Sequence, residues 1–557
     1  LPLPTYPFAK QRHWLARADI NSFLVPAGQA PLDRIQMEPP AGDNIRETLL
    51  AILSQILGTA PDTIRTNKNI RDYGADSIVA MHLMRDIEER FAVKLSGREL
   101  LEYSTVDSLA GHIASKKEPA RSALSEGQKG LWLLQKFSPL MGAYNVPLAF
   151  RIKRGFDDAA FSAACEDVLK CHALLRTVIR EHDGEPYQVI VEFGDPVFDQ
   201  AVRRENIAHL DEDDVLPYLT AKVKTPFDLE TGPLLRVDVL SRPAHETLVL
   251  VTVHHIIFDG SSALLLIDAL WKAYFARLQH SEPELAPVGQ AAYYDFVQWE
   301  QAMLAGDEGR DHLAYWKQQL AGELPVLALP ADHPRRFVQT FNGHSHECRL
   351  EPALTQKLRE FAPLHGVNLS VLYLAVFTVL LYRYTGQNDI LVGMPTLGRP
   401  QRRFEALIGY FINMVVIRSR LSGETRFTEL LKTLQLTVLD GLDHAALPFP
   451  VLVRELAVSR DQAMSPVYQV SFAYQNFARP LEHAETGIAL VEGIHQEGED
   501  ELGLEVYEEK DRTLLKMDFR PDVFELSTIQ RMMAHTVNLL EDIVVNAGNR
   551  VADLAML

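Results

Sequence analysis

The stretch Val-His-His-Ile-Ile-Phe-Asp-Gly, residues 253–260, decides how the larger part of this chain is interpreted. The apolar residues 248–253 lead into it and predict a buried strand. Residues 261–270 follow it and predict a helix with a serine at its N-cap. The stretch therefore places two histidines at the end of a strand, with an aspartate and a glycine in the turn that leads to the helix.

The two histidines are neighbours, and neighbouring side chains on a strand point to opposite faces. We therefore expect His254 and His255 to share no metal ion, with one facing a cavity and the other bracing the backbone. Asp259 lies four residues after His255 and is expected to orient the turn rather than to touch a substrate. A pair of buried, hydrogen-bonded core histidines is the alternative interpretation. Four fixed positions in one strand–turn–helix context outweigh it.

The pattern of two histidines, three residues, an aspartate and a glycine resembles the condensation domains of nonribosomal peptide synthetases. More widely, it resembles the chloramphenicol-acetyltransferase-like acyltransferases. Other segments of the family pattern occur in the family order from residue 124 to the C-terminus. These segments are residues 124–132, 171–177, 226–229, 232–234, 294–299, 398–400, 408–413, 444–449 and 460–466.

This resemblance implies a two-lobed α/β domain, with lobes at residues 124–295 and 296–557 and a tunnel between them that holds His255 at its middle. The implied reaction joins an acyl thioester on one carrier to the amine of an aminoacyl group on another carrier, without a covalent enzyme intermediate. No metal ion is implied. The implied catalytic motif consists of His254 in a structural role, His255, Asp259 and Gly260.

The implied reaction makes modest demands on a base, because an α-amine has a pKa of about 7.7–8.0 and is partly neutral near pH 7. Positioning and stabilisation of the charged intermediate matter more. We therefore assign His255 to binding the attacking amine and handling its proton, and the backbone N–H of Gly260 to electrostatic assistance. Asp259 is expected to form a structural ion pair, either with Arg399, by its position in the family pattern, or with Arg176.

The region before residue 116 has a different pattern. Residues 43–58 carry apolar side chains at helical spacing and end at Gly58, which predicts an amphipathic helix. A loop through Asn69 leads to a second such helix, and a short piece precedes a third that starts at Thr105. Together they predict a small all-α four-helix bundle.

Ser77 stands at the start of the second predicted helix, after Gly74, Ala75 and Asp76. A serine at this place can be only an N-cap, but the Gly-x-Asp-Ser-Ile pattern resembles carrier proteins, and more closely the acyl carriers of polyketide type. The resemblance implies a 4'-phosphopantetheine attached covalently to Ser77. A helix N-terminus suits its phosphodiester, because free N–H groups and the helix dipole favour an anion there.

The expected domain organisation follows from these resemblances. Residues 1–40 combine prolines with aromatic residues and resemble the tail that follows a ketosynthase region in modular polyketide synthases, which implies that a preceding domain is missing. The expected order is a tail and linker (1–40), an acyl carrier domain (41–115), a linker (116–123) and the two condensation lobes. The whole resembles a carrier–condensation didomain of a hybrid polyketide synthase/nonribosomal peptide synthetase.

Composition restricts the classes of partner. Of 557 residues, 47% are hydrophobic and 23% are charged, which is ordinary for a soluble globular protein. A net charge of −19 argues against a nucleic-acid surface, and the longest apolar run, residues 371–382, predicts a buried helix rather than a membrane span. The three cysteines form neither a disulfide framework nor a zinc spacing and indicate a cytoplasmic location.

The resemblance also implies partners and leaves alternatives. Expected partners are upstream polyketide synthase domains, a downstream aminoacyl carrier with its adenylation domain, and a phosphopantetheinyl transferase. An epimerisation domain shares the two histidines and also follows a carrier, but residues 409–413, Gly-Tyr-Phe-Ile-Asn, have the condensation form. A cyclisation domain would carry aspartates in place of the histidines, and a non-catalytic docking platform usually has a damaged motif.

Overall fold

A computed structural model describes residues 45–73, 77–91, 93–116, 121–139, 142–153, 155–242, 246–285, 292–335, 341–456, 465, 467–476, 487–494 and 500–557. The chain divides into two compact units, of which one ends at Arg121 and the other runs from Ser122 to Leu557. The expectations for residues 1–40 and 74–76, and for part of residues 460–466, lie outside the described residues.

The described residues of the smaller unit form four α-helices, as the sequence predicted. They are α1 (Ile45–Leu57), α2 (Ser77–Phe91), α3 (Gly97–Glu102) and α4 (Val106–Lys116), with 3-10 turns at Pro61–Thr63 and Ile70–Tyr73. Apolar positions three and four apart turn one face of each long helix inward. The buried core of this unit includes Leu49, Ile52, Leu53, Leu83, Ile87, Val106, Leu109 and Ile113.

The long loop between α1 and α2 is fastened to the rest of the smaller unit. The backbone N–H of Ile70 donates to the carbonyl oxygen of Ser104 at 2.8 Å, and the side-chain amide of Asn69 donates to the hydroxyl of Ser104 at 3.1 Å. The hydroxyl of Tyr73 accepts from the backbone N–H of Arg65 at 2.8 Å. These bonds hold the loop as far as Tyr73, and α2 begins at Ser77.

The larger unit is an α/β domain, as the resemblance implied, and its described strands form three sheets. Its helices are α5 (Glu126–Phe137), α6 (Asp158–Cys171), α7 (Glu212–Val223), α8 (Gly260–Leu278), α9 (Tyr293–Ala305), α10 (Asp307–Gln319), α11 (Pro352–Leu364), α12 (Leu369–Thr385), α13 (Phe427–Asp443), α14 (Phe449–Leu456) and α15 (Leu526–Asn546). Its strands are β1 (Arg121–Ala123), β2 (Asn145–Ile152), β3 (Thr177–His182), β4 (Glu185–Ile190), β5 (Val202–Asn206), β6 (Leu235–Ser241), β7 (Thr247–His254), β8 (His344–Arg349), β9 (Asp389–Thr396), β10 (Asn413–Arg420), β11 (Val470–Gln475), β12 (Ile488–Leu490), β13 (Leu502–Glu508) and β14 (Thr513–Phe519). Short 3-10 helices lie at Ala173–Arg176, Pro196–Gln200, His255–Ile257 and Arg402–Phe404.

The two larger sheets divide the domain into two parts. A five-stranded sheet has the order β12-β2-β7-β6-β5, and a six-stranded sheet has the order β10-β9-β11-β13-β14-β8; a small third sheet has the order β1-β4-β3. A cut at residue 295 falls inside α9, and β12, which comes late in the chain, pairs with β2 in the first large sheet. A strand from the later part of the chain therefore completes the sheet of the first part.

The predicted strand before the motif is β7, the central strand of the five-stranded sheet. All eight of its residues are buried, because alternate side chains enter two different apolar clusters, one with Val249 and Val251 and one with Leu248 and Leu250. Such a strand has no polar face, which explains the continuous apolar run.

The predicted buried helix at residues 371–382 is α12, whose residues 370–381 are all buried in the core beside the six-stranded sheet. Among the described helices, no single one is long and apolar enough to cross a membrane. The pair α11 and α12 passes that test only together, across a bend of 103°.

The helix after the motif begins earlier than predicted. Its N-cap is Asp259, whose side chain accepts from the backbone N–H of Ser262 at 2.8 Å, so the prediction of a serine N-cap at Ser261 was wrong. The glycine at position 260 adopts a helical conformation, which moves the helix start toward the histidines. Asp259 is therefore the N-cap of α8 and not a residue of the preceding turn.

Candidate active site

The end of β7 is held in place on both sides. The backbone N–H of His254 donates to the carbonyl oxygen of Leu234 at 2.9 Å, and that of His255 donates to the carbonyl oxygen of Tyr144 at 2.7 Å. The chain then leaves the sheet in the 3-10 turn His255–Ile257. The strand therefore ends at His254, and His255 lies just beyond it.

His254 is buried, with 1% of its surface exposed. Its Nδ1 accepts from the backbone N–H of Ile256 at 3.1 Å, and its ring lies edge-on to Phe227, with ring centroids 5.9 Å apart. In the part of the chain that is described, its Nε2 is buried and has no hydrogen-bond partner. Burial lowers the pKa of His254 to about 3, with further lowering from the nearby His255 and Arg236, so the ring is neutral. His254 therefore braces the turn by one backbone contact.

His255 is half-buried, and its tautomer is fixed by the backbone. Its Nδ1 lies 2.6 Å from the carbonyl oxygen of Phe258, and a carbonyl can only accept, so Nδ1 carries the proton. Burial lowers the pKa of His255, while Asp259 and the carbonyl of Phe258 oppose that shift. Neutral His255 therefore keeps a lone pair on Nε2, which no side chain or backbone group of the described ranges engages.

Asp259 is 2% exposed and collects hydrogen bonds from both parts of the domain. Besides Ser262, it accepts from the backbone N–H of Phe411 at 3.1 Å. Arg399 donates to it twice, from Nη1 at 2.8 Å and from Nη2 at 3.0 Å. A buried carboxylate needs such partners to remain charged.

Arg399 extends this contact to the following loop. Its Nη2 also donates to the hydroxyl of Ser262 at 3.1 Å and to the carbonyl oxygen of Leu407 at 3.2 Å, and its guanidinium lies 4.3 Å from the ring centroid of Phe411. Gly398, with φ of 63°, allows this approach, because a Cβ there would lie 1.5 Å from the carbonyl oxygen of Phe411. The ion pair thus positions the loop as well as the helix terminus.

Arg176, the other candidate partner, lies elsewhere in the fold. Its Nε donates to the carbonyl oxygen of Leu169 at 2.9 Å and its Nη1 to that of Val191 at 2.5 Å. It therefore braces the backbone around β4 and does not contact Asp259.

Gly260 is exposed at the first position of α8, and a Cβ built there would meet nothing within 4 Å. Packing therefore does not require glycine at this position.

Two further residues hold the motif and were not assigned roles from the sequence. Gln128 is fully buried and its side-chain amide donates to the carbonyl oxygen of Ile256 at 2.9 Å, while it forms a reciprocal capping box with Ser125 at the start of α5. Ser262, also fully buried, donates to the carbonyl oxygen of Gly409 and accepts from its N–H, both at 2.9 Å. Gln128 belongs to the segment 124–132 that resembles the family, and this resemblance is the feature of the sequence that could have pointed to it.

Comparisons with known proteins agree with this geometry. Residues 120–557 match the family described as Condensation domain, and residues 47–113 match the family described as Phosphopantetheine attachment site. The chain is 48% identical to Polyketide synthase PksN of Bacillus subtilis (strain 168) over 432 residues, which is 76% of this chain and 8% of that protein. It is 33% identical to a linear gramicidin synthase of Brevibacillus parabrevis over 97% of this chain and 11% of that protein.

Solved structures show the same fold for the larger unit. The X-domain from teicoplanin biosynthesis has a TM-score of 0.72 at 25% identity, covering 79% of this chain and 98% of that chain. The first condensation domain of the calcium-dependent antibiotic synthetase has a TM-score of 0.67 at 19% identity, covering 79% and 99%.

The chain belongs to the condensation-domain family, whose members are amide-bond-forming acyltransferases. It joins this domain to a carrier, which bears phosphopantetheine covalently on a serine, in the manner of polyketide and nonribosomal peptide assembly lines. The chain spans about a tenth of the length of the curated relatives it matches.

Proposed function

We propose that the larger unit condenses an acyl group carried on Ser77 with the amine of an aminoacyl group on a downstream carrier. The observation that carries this proposal is the fixed tautomer of His255. The carbonyl oxygen of Phe258 holds the proton on Nδ1, so Nε2 can accept a hydrogen bond and then a proton from an attacking amine. The lowered pKa of His255 keeps this lone pair available near pH 7.

Ser77 fits the attachment of phosphopantetheine better than the other serines of the carrier. It is the first residue of α2, a helix of 15 residues, whose N-terminus favours a phosphodiester. The other serines within residues 47–113 already use their hydroxyl groups in hydrogen bonds within the carrier unit; they are Ser54, Ser96, Ser104 and Ser108. When bound, the arm supplies a thiol that carries the acyl group as a thioester.

The remaining motif residues are given supporting roles. Asp259 and Arg399 form a structural ion pair that fixes the start of α8, and His254 braces the turn. The N–H of Gly260, at the first position of α8, is assigned to electrostatic stabilisation of the charge that develops in the reaction.

The assembly-line relatives support a more specific context. Because a polyketide synthase and a peptide synthetase are both among them, we infer an acyl donor from upstream polyketide synthase domains. The acceptor comes from a downstream aminoacyl carrier that an adenylation domain loads. A phosphopantetheinyl transferase modifies Ser77, and all of these partners act in the cytoplasm.

A single-turnover assay tests this proposal. The chain is loaded with an acyl-phosphopantetheine from acyl-coenzyme A by a phosphopantetheinyl transferase, then mixed with a separate aminoacyl carrier, and the amide product is measured by mass spectrometry. His255→Ala is expected to slow transfer by about 10²–10⁴-fold without changing the melting temperature. His254→Ala, which removes a brace inside the core, is expected to lower the melting temperature and the activity together.

Two outcomes would contradict the proposal. If Ser77→Ala still gains the mass of one acyl-phosphopantetheine, the attachment site is a different residue. If His255→Ala transfers within a few-fold of the parent, His255 takes no part in the chemistry and positioning alone drives the reaction.

A further inference from the structure

Tyr410 lies directly beside His255. The two rings meet edge to face, with centroids 5.4 Å apart and an angle of 82° between their planes. Tyr410 is half-buried, and no group of the described ranges forms a hydrogen bond to its hydroxyl. The hydroxyl oxygen keeps some solvent-exposed surface. It is therefore available to a ligand that binds beside the ring of His255.

The backbone around Tyr410 is held unusually firmly for a loop. The N–H of Phe411 donates to Asp259, and Ser262 bonds both the N–H and the carbonyl oxygen of Gly409. On the other side, the hydroxyl of Tyr293 donates to the carbonyl oxygen of Tyr410 at 2.5 Å. Tyr410 is thus fixed between the start of α8 and the start of α9, and a preorganised donor needs no rearrangement during a reaction.

The ring of Tyr410 is also fixed by contact with α5. A Cβ at Gly127 would lie 2.6 Å from Cε1 of Tyr410, so the glycine allows the ring to press against the helix backbone. The hydroxyl of Tyr293 lies 3.1 Å from that of Ser125, which caps the same helix. The first turn of α5 therefore sets the position of the ring and, through Tyr293, of the backbone behind it.

The charge state of Tyr410 suits a hydrogen-bond donor. Burial raises its pKa, and the nearby carboxyl groups of Asp259 and Glu300 raise it further. The phenol therefore keeps its proton throughout the range in which an α-amine is reactive.

We propose that the hydroxyl of Tyr410 is a catalytic hydrogen-bond donor that binds the carbonyl oxygen of the acyl thioester next to His255. This proposal rests on the amide-forming function proposed above. As the amine nitrogen attacks the thioester carbon, the C–N bond forms, and the electron pair of the C=O bond moves onto the oxygen that Tyr410 holds. The amine proton passes to Nε2 of His255. When the C–S bond breaks, the carbonyl re-forms and the leaving sulfur takes the proton from His255.

This arrangement also assigns a purpose to the Asp259–Arg399 pair. Both residues bind the backbone of residues 407–411, Asp259 at the N–H of Phe411 and Arg399 at the carbonyl oxygen of Leu407. The ion pair therefore holds Tyr410, the hydrogen-bond donor, beside His255, the base. Asp259 and Arg399 are each a positioning residue for Tyr410.

The test is the single-turnover transfer assay on the full chain with Tyr410→Phe, which removes the hydroxyl and keeps the ring. We expect the rate of transfer to fall by about 10²–10³-fold, the usual effect of losing one oxyanion donor. Loading of the carrier, the half-saturating concentration of aminoacyl carrier and the melting temperature should stay within a few-fold or a few degrees of the parent. Tyr382→Phe, which removes another half-buried hydroxyl in the core beside the six-stranded sheet, is the matched control and should leave the rate unchanged.

A second series does not depend on the stability of the phenylalanine variant. Replacement of Tyr410 by 3-fluorotyrosine and 3,5-difluorotyrosine makes the hydroxyl a progressively stronger donor, so transfer should become faster along the series at a pH where the phenol stays protonated. Gly127→Ala should slow transfer by displacing the ring, and it should add little to Tyr410→Phe. An active parent whose rate is unchanged by Tyr410→Phe and by fluorination would overturn this inference alone, whereas a parent that forms no amide would overturn the proposed function.

Discussion

Replacing Asp259 by alanine tests what the ion pair does for the fold. The substitution leaves Arg399 with 6% of its side chain exposed and no carboxylate beside it. It also removes the N-cap bond from Ser262 and leaves the N–H of Phe411 without its acceptor. Each of these buried groups then lacks the acceptor that it has in the parent.

The expected cost is large compared with the stability of a typical domain. Removing one partner of a buried ion pair costs about 3–5 kcal/mol, and losing an N-cap acceptor costs about 1 kcal/mol more. We expect the free energy of unfolding to fall by about 4–6 kcal/mol in all, which approaches the whole stability of a marginal domain.

Urea denaturation monitored by tryptophan fluorescence measures this loss, because the described tryptophans all lie in the larger unit. Asp268→Ala is the matched control: its partner is Lys272 at 2.7 Å, but both side chains are more than half exposed, so the change should stay within about 0.5 kcal/mol. The double variant Asp259→Ala/Arg399→Met should be less destabilised than Asp259→Ala, because the unpaired charge has gone. An Asp259→Ala protein that is soluble and unfolds at the parental urea concentration would refute this reasoning; if it also transfers no acyl group, Asp259 acts in the reaction, directly or by positioning Tyr410, rather than in the stability of the fold.

Two further predictions concern the same region. The pKa of His254 is about 3 in the folded protein against an ordinary value of 6.5. Neutral His254 therefore contributes fully to the free energy of unfolding above pH 6.5. Between pH 6.5 and pH 3 the free energy of unfolding falls by about 1.4 kcal/mol for each pH unit, because only the unfolded chain binds the proton. His254→Asn, which keeps an acceptor for the N–H of Ile256, should remove that part of the slope between pH 6 and 4, and an unchanged slope would show that His254 is not the group responsible. Gly398→Ala should destabilise the domain at least twice as much as Gly386→Ala, because both glycines have positive φ but only the Cβ at 398 meets backbone; equal losses in urea denaturation would contradict the close approach to Phe411.

Sequence reasoning succeeded where the decisive contacts are local. The apolar run into His254 identified β7, because a central strand buried on both faces leaves a continuous signal. The sequence predicted different surroundings for His254 and His255 from the alternation of side chains along a strand; the surroundings do differ, but because β7 ends at His254 and His255 begins the 3-10 turn that follows. Ser261 was misassigned as the N-cap because serine and aspartate are equally good caps, and only the helical conformation of Gly260 distinguishes them.

Contacts between distant segments could not be predicted in the same way. Ser262 and Gly409 are 147 positions apart, and nothing in the pattern around either residue indicates that they share two hydrogen bonds. Tyr410 occupies a segment that resembles the family, but whether its ring contacts a histidine depends on how two sheets are placed. The resemblance to the family predicted the order of these segments along the chain, but the distances between them are known only from the fold.

The pairing of β12 with β2 has a consequence for the synthesis of this protein. Ile488 is the partner of Ile152, so an edge of the first large sheet stays unpaired until the ribosome has added every residue between these two positions. At about 5–20 residues per second that delay is tens of seconds. During this time β2 exposes a row of unsatisfied backbone groups to any other extended segment nearby. This edge is therefore open to wrong pairing far longer than the helices of the carrier ahead of it, which pair with close neighbours as they emerge.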